Sequence, residues 1–459
     1  MKYFILAFGL LASLVTNAQI QNIKVSANHR YFVTADGKPF FWLGDTGWML
    51  FLKCTREEAV EYLDARNAQG FNVIQVMVLH ELKEDVNVYG DSALLNLDVS
   101  RPNTTTGNNY LNATKYDYWD HIEYIIDEAA KRNMYIALVP VWGGNVKNKL
   151  LNKKQAMDYA IFLAERFKNK KNIIWVDGGD IKGSVEREVW DYLGKTLNEF
   201  DTNHLITFHP RGRHTSSLWF HNEEWLDFNM FQSGHKDYSQ DTTSSDVFHF
   251  GEDNWRYVNN DYKLKPIKPT MDGEPSYENI PHGLHDSLQL RWKASDLRRY
   301  AYWSVFAGGA GFTYGENAVM QFHSSTDAAG SYGVDHDWRT GLNAQGANQM
   351  QYLKKLLLSK KYLDRLPDQS LIADQGEKYN YLAATRGKDY AFIYTYTGRK
   401  ILANLGKISG NKIKCSWYDP RNGQYTLIGT FTNKGSRLFI PPGKMKNGND
   451  WMLVEESLK

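Results

Sequence analysis

From about Phe40 to Lys360 the sequence alternates short apolar runs with amphipathic helical stretches. The runs read PFFWLGDT, FNVIQVMVL, MYIALVPVW, NIIWVDGGD, HLITFHP, LDFNMFQSGH, KPTMDGEP and GAGFTYG. Near-continuous apolar runs mark strands covered on both faces, as in a parallel sheet. One intervening helix, TREEAVEYLDARNAQG, has a capping box in Thr55 and Glu58 and a stop at Gly70. Another, YDYWDHIEYIIDEAAKRN, places Ile122, Ile125, Ile126 and Ala129 on one face. The helix before the last strand is expected from about Leu288 to Phe306. Strand and helix alternating eight times in this length predict an α/β fold of the (β/α)8 TIM-barrel type. An open doubly wound sheet is the competitor, and no glycine fingerprint follows the first strand to support it.

The texture changes after the helix GANQMQYLKKLLLSKKYL. From about Pro367 the runs are short and alternating, with turn signals such as Asn422-Gly423 between them. That pattern predicts a small all-β sandwich. The start, MKYFILAFGLLASLVTNAQIQ, has a positive residue, an apolar run and a small residue at a cleavage point. It reads as a secretory signal over residues 1–18, too short to favour a membrane span. The organisation expected is therefore a signal (1–18), a barrel domain (19–360) and a C-terminal β-sandwich (361–459), in an exported protein, periplasmic or extracellular. The two cysteines, Cys54 and Cys415, fall in different domains and are expected as free buried thiols. Formal net charge is +2 with no basic block, which argues against a nucleic-acid partner. Nothing resembles a zinc site, a calcium loop or a phosphate loop, so no metal or cofactor is expected.

A barrel builds its active site at the C-terminal ends of its strands. The residues there are Asp45 and Trp48, then His80 and Glu81, Trp142, Asp177 and Asp180, His209 and Arg211, Gln232 and His235, Glu274, and Tyr314 and Glu316. Each has a plainer reading. The tryptophans can cap the barrel core, Asp45 can cap a turn, and His209 and Arg211 can form a structural ion-pair network. Glu81 and Glu316 fit solvated loop acids. The informative pair is a carboxylate on strand four and another on strand seven, on opposite sides of the mouth. Glycoside cleavage needs one protonated acid at the leaving oxygen and one ionised carboxylate opposite. Aromatics make up 14% of the chain, and those at the mouth offer stacking faces to sugar rings. Strand four ends in two acids, Asp177 and Asp180, either of which can supply its carboxyl. Asp272 shares the strand parity of Glu274 one layer deeper and is a candidate to hydrogen-bond the site. Glu278, beyond Pro275, fits a loop or supporting role.

The segments FFWLGDTGWMLF, YLDARNAQGFNVIQ, IIWVDGGD, ITFHPRGRHTSS, DGEPSYE and RRYAYWSVFAGGAGFTYG, in this order, resemble the apiosidase-like glycoside hydrolases, family 140. The tail carrying WYDPRNGQY resembles the β domain, often labelled collagen-binding, that follows this barrel. The resemblance implies a retaining hydrolase of the large (β/α)8 glycosidase clan, with Asp180 as acid/base and Glu274 as nucleophile. Asp45, Trp48, His80, Trp142, His209, Arg211, Gln232, His235 and Tyr314 are then expected to bind substrate. It also implies an endo-apiosidase acting on apiose-linked side chains of the plant pectin rhamnogalacturonan II. The expected partner is a plant cell-wall oligosaccharide or polysaccharide, and the expected state a monomer. The alternatives are a retaining glycosidase on another plant sugar, such as an arabinofuranoside or galactoside, and a non-catalytic carbohydrate- or matrix-binding protein.

Overall fold

The computed structural model describes residues 20–83, 86–107 and 109–458. The expected signal lies outside the described residues. Ile23–Val25, Phe32–Thr34 and Pro39–Phe40 form a small antiparallel sheet leading into the barrel.

The barrel strands are β1 (Trp42–Thr46), β2 (Val73–Met77), β3 (Tyr135–Val139), β4 (Ile173–Ile181), β5 (Ile206–Pro210), β6 (Asn229–Gln232), β7 (Thr270–Asp272) and β8 (Gly311–Tyr314). They run in the order β5-β4-β3-β2-β1-β8-β7-β6, and His214–Thr215 adds an antiparallel ninth strand beside β6. The sheet is nearly closed. Across the seam between β5 and β6, Asp227 N donates to Ile206 O at 2.9 Å and Thr207 Oγ1 to Phe228 O at 2.6 Å.

The helices between them are α1 (Arg56–Ala68), α2 (Tyr118–Lys131), α3 (Lys153–Phe167), α4 (Arg187–Phe200), α5 (Trp255–Asp261), α6 (Ala294–Phe306) and α7 (Gln345–Leu358). Helix α1 starts on the Thr55–Glu58 capping box, in which both reciprocal bonds form. On α2, Ile122, Ile125, Ile126 and Ala129 are all fully buried. Helix α6 begins at Ala294 rather than Leu288. Leu288 and Leu290 are 93% and 75% exposed, so nothing packs to extend the helix back to them.

Inside the barrel a polar chain crosses the strands. Trp42 Nε1 donates to Thr313 Oγ1, Thr313 Oγ1 to Gln75 Oε1, and Gln75 Nε2 to Gly273 O. Each side chain of this chain of bonds has a partner, which removes the desolvation cost of leaving it unpaired.

The tail forms an all-β antiparallel domain. Its six-stranded sheet runs from Leu366–Pro367 through Leu382–Arg386, Tyr390–Thr395, Trp451–Leu458 and Lys412–Tyr418 to Tyr425–Thr432. A two-stranded piece, Ile401–Asn404 with Ser436–Phe439, lies beside it. The domain packs on α6. Tyr302 and Tyr394 stack at 4.7 Å, and Arg298 makes a buried ion pair with Asp450 at 2.6 Å. Cys54 and Cys415 are free and buried. Among the described residues no helix is long and apolar enough to cross a membrane.

Candidate active site

Strand β4 ends in Asp177-Gly178-Gly179-Asp180, and here the backbone leaves regular strand geometry. Gly178, Gly179 and Asp180 have φ values of 94°, 96° and 50°, and the register with β5 shifts between Gly178 and Ile181. Glycine enters this region at no steric cost, and aspartate tolerates it better than most residues. Space demands glycine too. A Cβ on Gly179 would lie 2.4 Å from the Trp142 ring, and one on Gly178 would lie 2.4 Å from His209 O. The bulge turns Asp180 into the barrel mouth.

Asp180 and Glu274 line one cavity of about 310 Å³ at the C-terminal ends of the strands. Trp48, His80, Trp142, Gln232 and His235 line it as well. His209 stands behind Glu274, its Nε2 3.1 Å from Oε2. His235 Nε2 hydrogen-bonds Glu274 Oε1 at 3.0 Å. Since an ionised carboxylate only accepts, His235 carries its proton on Nε2. Trp48 packs edge-on to Trp142 at 5.3 Å and to His209 at 5.5 Å, so the indoles fix the imidazole. The Gln232 Oε1 atom is buried and has no protein partner.

The two carboxyls are driven in opposite directions. Burial and then the charge of Glu274 raise Asp180 to about 6, against the pull of His209, Arg211 and His235. Asp180 stays accessible to solvent in the cavity. Burial also pushes Glu274 upward, but contacts from His209 and His235 outweigh it and hold the carboxyl down at about 2. At mildly acidic pH one group keeps its proton and the other its charge, the division of labour that acid–base chemistry on a glycoside needs.

Several expected site residues lie elsewhere. Asp45 is fully buried, accepts from Tyr62 Oη at 2.6 Å, and pairs with Arg66 Nε at 2.6 Å. Both partners sit on α1, so Asp45 faces the helix layer. Tyr314 is paired in register with Asp45 and faces the same way, its hydroxyl donating to Glu278 Oε2 at 2.6 Å. Strand alternation explains both: Trp42 and Thr313 point into the barrel, and the next inward and outward positions follow with period two. Arg211 is not part of the cavity lining. It lies 3.7 Å from Asp246 and acts on Asp180 only through its charge.

Asp177 is buried with both oxygens unpartnered, and burial raises it well above the carboxylate range. It does not line the cavity. Asp272 turns away too, holding Ser233 Oγ at 2.6 Å and Asn254 Nδ2 at 3.0 Å. Regular strand ends at Asp272, so its parity with Glu274 is lost at Gly273. Glu316 is fully buried rather than solvated, capping Asn317–Met320 and bonding His336 at 2.9 Å.

Sequence reasoning missed Tyr277 and Tyr332. Tyr277 lines the cavity beside Glu274 and accepts a bond from Trp48 Nε1 at 3.2 Å. Burial and then the Glu274 charge raise its hydroxyl well above the usual range. Its signal was present, an aromatic three positions after Glu274. Tyr332 comes from the segment after β8 and faces both carboxylates, whose charges add to burial in raising it. Nothing in the local sequence of that segment marks it. No described residue between 86 and 116 lines the cavity.

Residues 26–364 match the family described as "Apiosidase-like, catalytic domain". The chain belongs to the apiosidase-like glycoside hydrolases. Residues 366–456 match a second family, described as "Putative collagen-binding domain of a collagenase". A solved structure titled only "Glycoside hydrolase" is 46% identical, covering 95% of this chain and 97% of its own, with a TM-score of 0.88. A glycoside hydrolase family 5 structure from Bacteroides vulgatus ATCC 8482 is 43% identical, covering 95% and 94%, with a TM-score of 0.89. Among curated proteins none matches. This apiosidase-like hydrolase thus shares its whole two-part architecture with glycoside hydrolases.

Proposed function

We propose that the protein is a retaining endo-apiosidase that cleaves apiose-linked side chains of rhamnogalacturonan II, with Glu274 as nucleophile and Asp180 as acid/base. The observation that carries this reading is the opposite polarisation of two carboxyls in one cavity, Asp180 at about 6 and Glu274 at about 2. Glu274, ionised, attacks the anomeric carbon while Asp180 gives its proton to the leaving oxygen. The bond from the anomeric carbon to that oxygen breaks, and a glycosyl ester forms on Glu274. Esterification removes the Glu274 charge, which is one of the forces raising Asp180. With that charge gone Asp180, now ionised, stays a carboxylate and takes a proton from the water that attacks the anomeric carbon, while the bond from that carbon to Glu274 breaks and frees the Glu274 carboxylate. One charge coupling thereby serves both half-reactions. Trp48 and Trp142 supply apolar faces for the sugar, and Gln232 and His80 supply polar contacts.

The family supports the apiosidase part of the reading, and the exported setting expected from the N-terminal segment suits a polysaccharide substrate. The test is product analysis on apiose-bearing pectin side chains against arabinofuranoside and galactoside panels, with the anomer of the first product followed by NMR. Release of apiose-linked fragments with retained configuration is expected. Inversion overturns the mechanism, and release only from another glycoside overturns the substrate.

A further inference from the structure

The C-terminal domain reaches the segment that carries His235. That segment, residues 233–254, joins β6 to α5. Arg213 knots its two ends, with Nη1 donating to Ser233 O at 2.7 Å and Gly251 O at 2.6 Å, and Nη2 donating to Lys236 O at 2.8 Å. Near its end stands Glu252, only 1% exposed. Its Oε1 accepts from the Tyr238 backbone N–H at 3.3 Å, and its Oε2 lies 2.5 Å from Arg299 Nη2.

A further contact on Glu252 comes from the other domain. The Tyr379 hydroxyl donates to Glu252 Oε1 at 2.7 Å. The Tyr379 ring also lies edge-on to Tyr238 at 5.3 Å and 5.1 Å from the Arg299 guanidinium. Tyr396, from the same domain, lies 5.0 Å from that guanidinium and bonds Asp296 at 2.7 Å. Arg299 is fully buried among aromatic faces, and its charge is balanced by Glu252 with Asp296 3.9 Å away. Remove the far-domain tyrosine and Glu252 loses a bond, a wall and its fixed rotamer together.

We propose that Tyr379 is a positioning residue for the active site: by fixing Glu252 it holds the 233–254 segment so that His235 stays on Glu274. The small domain is then a working part of the hydrolase, whatever else it binds. Its kinetic arm rests on Glu274 being the nucleophile, and its structural arm does not.

The test uses full-length Tyr379→Ala and Tyr379→Phe, with Leu427→Ala, on an exposed strand of the same domain, as control. By hydrogen exchange, amides of 233–254 are expected to open about tenfold faster in Tyr379→Ala, less in Tyr379→Phe, with both sheets unchanged. With an aryl apioside as probe, the acid limb of kcat/KM in Tyr379→Ala should move up by about one pH unit, because Glu274 loses part of the contact that keeps it ionised. Far-UV circular dichroism at each pH separates acid unfolding from a true shift of that limb. Unchanged exchange in 233–254, or faster exchange spread evenly over both domains with an unmoved limb, overturns the proposal. If the wild-type protein leaves the aryl apioside intact, the kinetic arm falls away and the exchange measurement decides this proposal alone.

Discussion

Gly179 lies against the indole of Trp142 so closely that a methyl group there would sit 2.4 Å from the ring. The contact joins the bulge that presents Asp180 to the aromatic side of the cavity. One glycine therefore lies between the bulge that carries Asp180 and the indole.

Gly179→Ala should lower kcat by about 100-fold, since a misplacement near 1 Å at a reacting group has that cost. The φ of 96° strains alanine as well, so a modest fall in Tm accompanies it. Full activity in Gly179→Ala would show that the bulge does not set the acid. The measurement is steady-state kinetics beside a thermal melt.

Glu274→Gln should reduce turnover on the order of 10⁴-fold or more while the near-UV circular dichroism stays native. Azide added to Glu274→Ala should restore part of the rate with an activated aryl glycoside and give the glycosyl azide of inverted configuration. No azide product would remove Glu274 from the nucleophile role.

The pH profile follows from the two carboxyls. Under the proposed mechanism turnover needs Asp180 protonated and Glu274 ionised, so kcat/KM should hold through the mildly acidic range and fall about tenfold per unit above about 6. A profile still flat at pH 8 would exclude Asp180 as the acid.

Asp180 also sets a stability test. Its folded pKa is raised above the unfolded value of 3.8, so its contribution is fully present below 3.8 and lost as pH rises through about 6. Asp180→Asn should therefore melt higher than wild type at pH 8 and level with it near pH 3.5. Solvent access to Asp180 screens much of the shift, which leaves about 1 kcal/mol at pH 8. A variant less stable at pH 8 would contradict the repulsion from Glu274.

Asp45 has no substrate role in this geometry. Asp45→Ala leaves Arg66 buried and unpaired and should cost about 3–5 kcal/mol. Replacing both partners, as Asp45→Leu with Arg66→Met, should recover most of that loss. Urea denaturation of the two variants compares them directly.

The local patterns made the barrel legible. Apolar runs and helical stripes are properties of neighbouring residues, so β1 to β8 and the α1 capping box could be read without the fold. The positions of Asp180 and Glu274 were legible for the same reason, because strand ends deliver side chains to the mouth. Direction was harder. Asp45 and Tyr314 stand at strand ends too, yet face α1 and Glu278, and a run buried on both faces has no polar alternation to reveal which side is which.

The sequence by itself determined the strand–helix alternation, the β tail and the two carboxyls, through periodicity and turn chemistry that act within a few residues. Only the tertiary structure decided that His209 and His235 converge on Glu274, that Tyr332 shares the cavity with both acids, and that Tyr379 reaches Glu252 from another domain. Those contacts join residues far apart in the chain, and their energies depend on burial and distance, which no local pattern encodes.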